Sequence, residues 1–308
     1  MKPQTKDDGN VKNEPPVVKS TTTKNTRTET TPKPHLLPKI WRPAGFTGVG
    51  EQLVESQRHQ ISLHWEISRH YGEQVVEFVL VTPTQDAPFY IMKNKVWNGL
   101  LLEYTAARPN DLPADPDKKT WRQGAMANGH ALGVEEHPML PVMNLNAFEA
   151  DRIAKWIGGP SGHLPTVSQW DNAAGFELWK AGTVQPDRDQ GPFKKSSGRS
   201  EVAIGLRPFG PRAVGSSSDD VSPFGCHDMA GNGFELTSSV MGGGQIPDCP
   251  PDAWVLTRGR NYQSKTPLQW SHLEAAVTAE YPDGIEARDR NPNIGFRIVL
   301  EVQPDSTE

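Results

Sequence analysis

The residues suited to chemistry are few and scattered. The chain of 308 residues has two cysteines, Cys226 and Cys249, and nine histidines. His59 and His64, with four residues between them, do not suit one helical face, although a strand or loop could present either. The run Asp289-Arg290-Asn291-Pro292-Asn293 begins like a calcium loop. It has Ile294 where the sixth position needs glycine and Leu300 where the twelfth needs glutamate, so it is rejected as one. There is no HExxH zinc helix, no phosphate-binding GxxxxGK[ST] loop and no GxSxG nucleophile elbow. Trp97, Trp121, Trp254 and Trp270 could line a groove, although packing in the core is the preferred reading.

Positioning these groups falls to short elements. Val75–Thr82 is β-branched and aromatic and predicts a strand. Ala87–Val96 predicts a second strand leading into a helix around Gly99–Ala107. Asn146 with Glu149 three residues on forms a capping-box pattern, so a helix is predicted to run to Gly158 with Phe148, Ile153, Trp156 and Ile157 on one face. Thr166 and Gln169 repeat the pattern for a helix ending at Gly175. Residues 182–222 are dense in Gly, Pro, Ser and charge and read as loop. The last strand is predicted over Ile294–Val302.

Composition narrows the function. Residues 1–40 contain no Phe, Trp or Tyr, and carry eight Lys or Arg against four Asp or Glu. Such a stretch buries too little apolar area to offset its ordering entropy, so it is expected to be a disordered tail or linker. Residues 303–308 are read the same way. The stretch 41–75 reads as an extension whose place in the fold is open, followed by a domain over 76–302. Residues 41–308 hold 24 basic and 33 acidic residues, a net of −9, which argues against nucleic acid as a partner. No run of about 18 apolar residues is present, so no membrane span is expected. The N-terminus has no apolar signal region and two cysteines make no disulfide framework, so a cytoplasmic protein is expected. A domain behind such a linker often ends a longer chain.

Six segments in order resemble the formylglycine-generating-enzyme, or sulfatase-modifying-factor, family. They are Phe78 to Tyr104, Pro141 to Gly159, Leu164-Pro165-Thr166 with Trp170, Asp228 to Glu235, and the pair Arg258-Gly259 with the closing Ile294-Gly295-Phe296-Arg297. The resemblance implies an α+β, C-type-lectin-like fold of small twisted sheets, two or three helices and extensive irregular loops.

The resemblance also implies a chemistry that this chain lacks the residues for. Family oxidases convert a sulfatase cysteine to formylglycine with copper held by two cysteines just beyond the Arg-Gly pair. Thiolates are the soft ligands that select Cu(I). Here Ser264 and Gln269 fall near those positions, and a hydroxyl and an amide do not replace them. Copper is therefore not expected. Cys226 is read as a small buried hydrophobe. A Cys226–Cys249 disulfide is possible on sequence but disfavoured by the cytoplasmic reading. Arg260 stands for a second glycine, and Phe234 and Leu236 for tryptophans. Another branch of the superfamily uses iron held by three histidines, and the scattered histidines here do not favour that.

Carried over residue by residue, the family's structural calcium would be held by Asp228, Gly231, Gly233 and Glu235. Two carboxylates and turn carbonyls supply much of the oxygen shell calcium needs. The alternative is that Glu235 pairs with an arginine such as Arg258 or Arg297 and no metal binds. The functional expectation is a degenerate, non-oxidase binding or regulatory module for a peptide or protein ligand. Its groove would be lined by Arg258, Tyr262, Ser264 and Trp270. Related domains occur fused to serine/threonine kinases, and the linker-like residues 1–40 suit such an arrangement. An oxidase or iron enzyme with altered metal ligands is the rival.

Overall fold

The computed structural model describes residues 39–56, 61–112, 121–183, 190–193, 201–205, 210–280 and 282–303. Of the expected tails, 1–40 and 303–308, residues 1–38 and 304–308 lie outside the described residues, whereas Lys39 and Ile40 belong to a strand.

A seven-stranded sheet forms the centre. Its strands are β1 (Lys39–Trp41), β2 (Thr47–Ser56), β3 (Ile61–Tyr71), β4 (Gln74–Val81), β5 (Phe89–Met92), β8 (Gly162–His163) and β13 (Val299–Glu301). β3 is long enough to take β2 along one edge, and β1 then β4 along the other. The stretch 41–75, whose place was open, therefore supplies strands of this sheet. β5 pairs with β4 and β13, and β13 with β8.

The sheet is buried on both faces, because alternate side chains leave a strand on opposite sides. Val76, Phe78 and Leu80 of β4 and Tyr90 and Met92 of β5 enter one core with α1 (Asn98–Ala107) and α2 (Ala147–Gly158). Val79, Val81, Phe89 and Ile91 enter the other core. There they meet α3 (Val167–Ala174), α4 (Phe176–Lys180) and α5 (Trp270–Thr278). Both predicted capping boxes form, at Asn146–Glu149 and Thr166–Gln169. Gly175 ends α3 in a left-handed conformation, φ 95°. α1 to α3 are the helices the sequence led us to expect, and α4 and α5 were not anticipated.

A four-stranded sheet packs beside this body in the order β11 (Gly284–Glu286), β10 (Trp254–Arg260), β9 (Gly233–Val240), β12 (Ile294–Gly295). β6 (Ala125–Ala127) and β7 (His130–Leu132) form a hairpin. The single strand predicted over Ile294–Val302 is thus two strands in two sheets. The chain leaves β9 at Gly295 and joins β5 at Val299. Between them, the carbonyls of Phe296 and Ile298 accept from Val96 and Met92 N–H, and Arg297 sits at the junction.

Candidate functional site

The Asp228–Glu235 segment is a tight turn entering β9. Asp228 and Asn232 have left-handed backbones, φ 58° and 59°, which short polar side chains tolerate. Asp228 Oδ2 accepts from Gly215 N–H (2.7 Å), and Asp220 Oδ1 from Ala230 N–H (2.8 Å). Asp220 Oδ2 and Asp228 Oδ1 are buried with no hydrogen-bond partner among the described residues. Burial first, and then the neighbouring Asp228 charge, push the Asp220 carboxyl up to about 8.

Glu235 is fully buried at the centre of this charge cluster. Its Oε1 accepts from Lys95 Nζ at 2.6 Å, and Arg297 reaches both oxygens, Nε to Oε2 at 2.6 Å and Nη2 to Oε1 at 2.9 Å. Burial opposes ionisation, but Arg297 and Lys95 overcome it and hold the carboxyl down at about 2. Lys95 also donates to the Gly233 carbonyl at 3.1 Å. Arg297 donates further to the carbonyls of Met92 (3.1 Å) and His227 (2.8 Å). Among the described residues no group of three or more His, Cys, Asp or Glu is placed to hold a metal. The four groups offered to calcium fit that ion poorly: a protein ammonium already contacts two of them, Gly233 and Glu235. Sequence reasoning missed Lys95, which reads as an ordinary lysine just beyond an apolar strand.

The four groove residues do not converge. Arg258 is buried on β10 and grips Asp171 of α3 with two nitrogens, at 2.8 and 3.3 Å. It lies opposite Glu235 in the β9–β10 register yet pairs elsewhere. Tyr262 is buried against Ala125 and Met143, and its hydroxyl contacts the Met126 carbonyl (2.8 Å) and Asn293 Oδ1 (2.6 Å). Ser264 is half-buried, in a turn closed by its N–H to the Asn261 carbonyl. Of the four, Trp270 lines a cavity.

That cavity, about 480 Å³, is bounded by Trp65, Phe193, Phe224 and Trp270, with Glu66 and Gln190 among its polar groups. Trp270 is fixed by stacking on Phe176 and Trp179, with ring centroids 6.4 and 6.1 Å away, and by its N–H to the Gln190 carbonyl (2.7 Å). Gln269, at one expected thiol position, is the N-cap of α5 and so adjoins this wall. Of the other tryptophans singled out, Trp97 and Trp121 are buried, whereas Trp254 is 41% exposed.

Both cysteines are free. Cys226 is wholly buried in the second core, and burial pushes its thiol up to about 11. Cys249 packs at the margin of the first core. His59 lies outside the described residues. No helix among the described residues is long and apolar enough to cross a membrane.

Comparisons with known proteins place this geometry. CarF is similar in structure at 16% identity, covering 72% of this chain and 89% of its own, with a TM-score of 0.51. PvdO from Pseudomonas aeruginosa matches at 17% identity, covering 76% of this chain and 97% of its own, with a TM-score of 0.49. Treponema denticola variable protein 1 matches at 13%, covering 76% and 98%, with a TM-score of 0.44. No curated protein matches. The sulfatase-modifying factor enzyme 1-like domain model matches residues 47–302, and the sheets, helices and long loops are those of its C-type-lectin-like α+β fold. This chain therefore belongs to the sulfatase-modifying factor enzyme 1-like domain family.

Proposed function

We propose that this domain is a non-oxidase member of its family that binds a peptide or protein segment in the cavity bounded by Trp65, Phe193, Phe224 and Trp270. The observation that carries this reading is the wall at Gln269–Trp270. There the second expected thiol position is Gln269, the N-cap residue of α5, whose backbone N–H donates to His272 Nδ1 at 3.0 Å, and the next residue is an aromatic held rigid by two stacked rings. Aromatic faces offer large contact area at low entropic cost, and Glu66, which also pairs with Lys93 at 3.5 Å, adds a carboxylate to the lining. A regulatory role in serine/threonine-kinase signalling is the wider context suggested by related domains.

The test uses a cysteine-containing sulfatase peptide. Mass spectrometry after incubation in air with copper, and separately with iron, is expected to find the cysteine unconverted while a competent oxidase converts it. Conversion would overturn the reading. Tryptophan fluorescence with the same peptide is expected to report binding that Trp65→Ala weakens about tenfold, as for an interfacial aromatic anchor.

A further inference from the structure

The fully buried Lys95, in the link between β5 and α1, contacts groups that family resemblance reserves for a metal. Its ammonium donates to Glu235 Oε1 at 2.6 Å and to the Gly233 carbonyl at 3.1 Å. Asp228 is close enough for its charge to act on Lys95. Asp228 Oδ1 has no hydrogen-bond partner among the described residues. Carboxylate and carbonyl oxygens thus gather around a protein cation in a segment whose oxygens could otherwise serve calcium.

Charge counting favours the lysine. The buried cluster holds two cations, Lys95 and Arg297, and three carboxyl groups, Asp220, Asp228 and Glu235, of which Asp220 stays protonated at neutral pH. Adding a divalent ion would leave excess positive charge in a dry interior, where unpaired charge is costly. Without Lys95 one cation faces the carboxylates of Asp228 and Glu235, so a divalent ion meets a negative cluster instead of a balanced one.

We infer that Lys95 is this domain's built-in cation, filling the place the Asp228–Glu235 turn would otherwise offer to calcium and making the domain's stability independent of that metal. The inference does not depend on the proposed ligand cavity.

The experiment compares calcium-induced shifts in melting temperature, against chelator, for the wild type and Lys95→Ala, with calcium alone as the probe. Lys95→Ala removes the charge and opens space. It is expected to melt several degrees lower in chelator and to gain several degrees more from calcium than the wild type does. Asp228→Asn in the Lys95→Ala background is expected to erase that gain, and Lys95→Met, which fills the space, to show none. An equal or larger calcium shift in the wild type than in Lys95→Ala overturns the inference. If Lys95→Ala does not fold, the comparison is the wild type with Asp228→Asn. A wild-type calcium shift that Asp228→Asn removes overturns the inference, and a response unchanged by that substitution upholds it.

Discussion

Arg258 of β10 and Asp171 of α3 form a two-point ion pair, at 2.8 and 3.3 Å, between side chains 5% and 9% exposed. The pair ties the four-stranded sheet to a helix packed on the seven-stranded one. A planar guanidinium matches a carboxylate with two parallel bonds, which lysine cannot do. Removing one partner strands a charge in the interior. Asp171→Ala is expected to cost about 3–5 kcal/mol, read by urea unfolding. The double variant Asp171→Ala/Arg258→Met should lose less than the sum of the single losses, because neither charge is then left alone. Additive losses would deny the coupling.

The two capping boxes give a second prediction. Asn146→Ala and Thr166→Ala each remove a side-chain acceptor for the N–H three residues on, at Glu149 and Gln169. Each is expected to lower stability by about 1 kcal/mol, and the two losses should add because the caps share no partner. A loss near zero at either would mean water replaces the cap without cost.

These caps were legible because capping is a local contract between residues three apart. The β-branched and aromatic runs of β4 and β5 were legible for the same reason, and the ordered motifs placed the chain in its family. What escaped was non-local. Ile294–Val302 is extended throughout, so its pattern reads as one strand, and only the arrangement of the two sheets divides it at Phe296–Ile298. Lys95 and Glu235 lie 140 positions apart, and nothing in the run Lys93-Asn94-Lys95-Val96 marks one lysine as buried and the other as partly exposed. Arg258 and Tyr262 read as groove residues from their place beside the Arg-Gly pair. The fold spends both on internal bonds, to Asp171 and to Met126 and Asn293.

A third prediction concerns pH. His163 Nε2 lies 3.0 Å from Glu301 Oε1, which also accepts from Gln169 at 2.7 Å. Burial pulls the His163 pKa down, but Glu301 and the Leu164 carbonyl raise it above the ordinary histidine value. The hydrogen bond from His163 holds Glu301 below the usual carboxylate range. A raised histidine stabilises fully below its unfolded value of about 6.5 and loses that as pH rises through its folded value. A depressed glutamate stabilises above about 4.3 and loses that as pH falls. The pair therefore contributes most between those limits. Half-exposed as it is, its worth is under about 1 kcal/mol. Glu301→Gln should lessen the fall in stability on either side of that window, and an unchanged profile would deny the coupling.

The last prediction separates the two thiols. A thiol reacts as its thiolate and only where a reagent reaches it. Cys226 is wholly buried, with its pKa pushed to about 11 by burial, so at neutral pH it offers neither thiolate nor access. Cys249 is part-exposed, so a reagent reaches it, and slight burial and Asp248 raise its pKa. A chromogenic disulfide reagent added to the native protein should therefore label one thiol promptly, and Cys249→Ser should remove that phase. Denaturant should release the second. Because Cys226 is sealed between the sheet and the helices of the second core, its slow labelling measures how often that core opens. Asp171→Ala should speed it, since the lost ion pair anchors α3 over that core. Prompt labelling of Cys226 in the native protein would mean the thiol is exposed, contrary to its place in the second core.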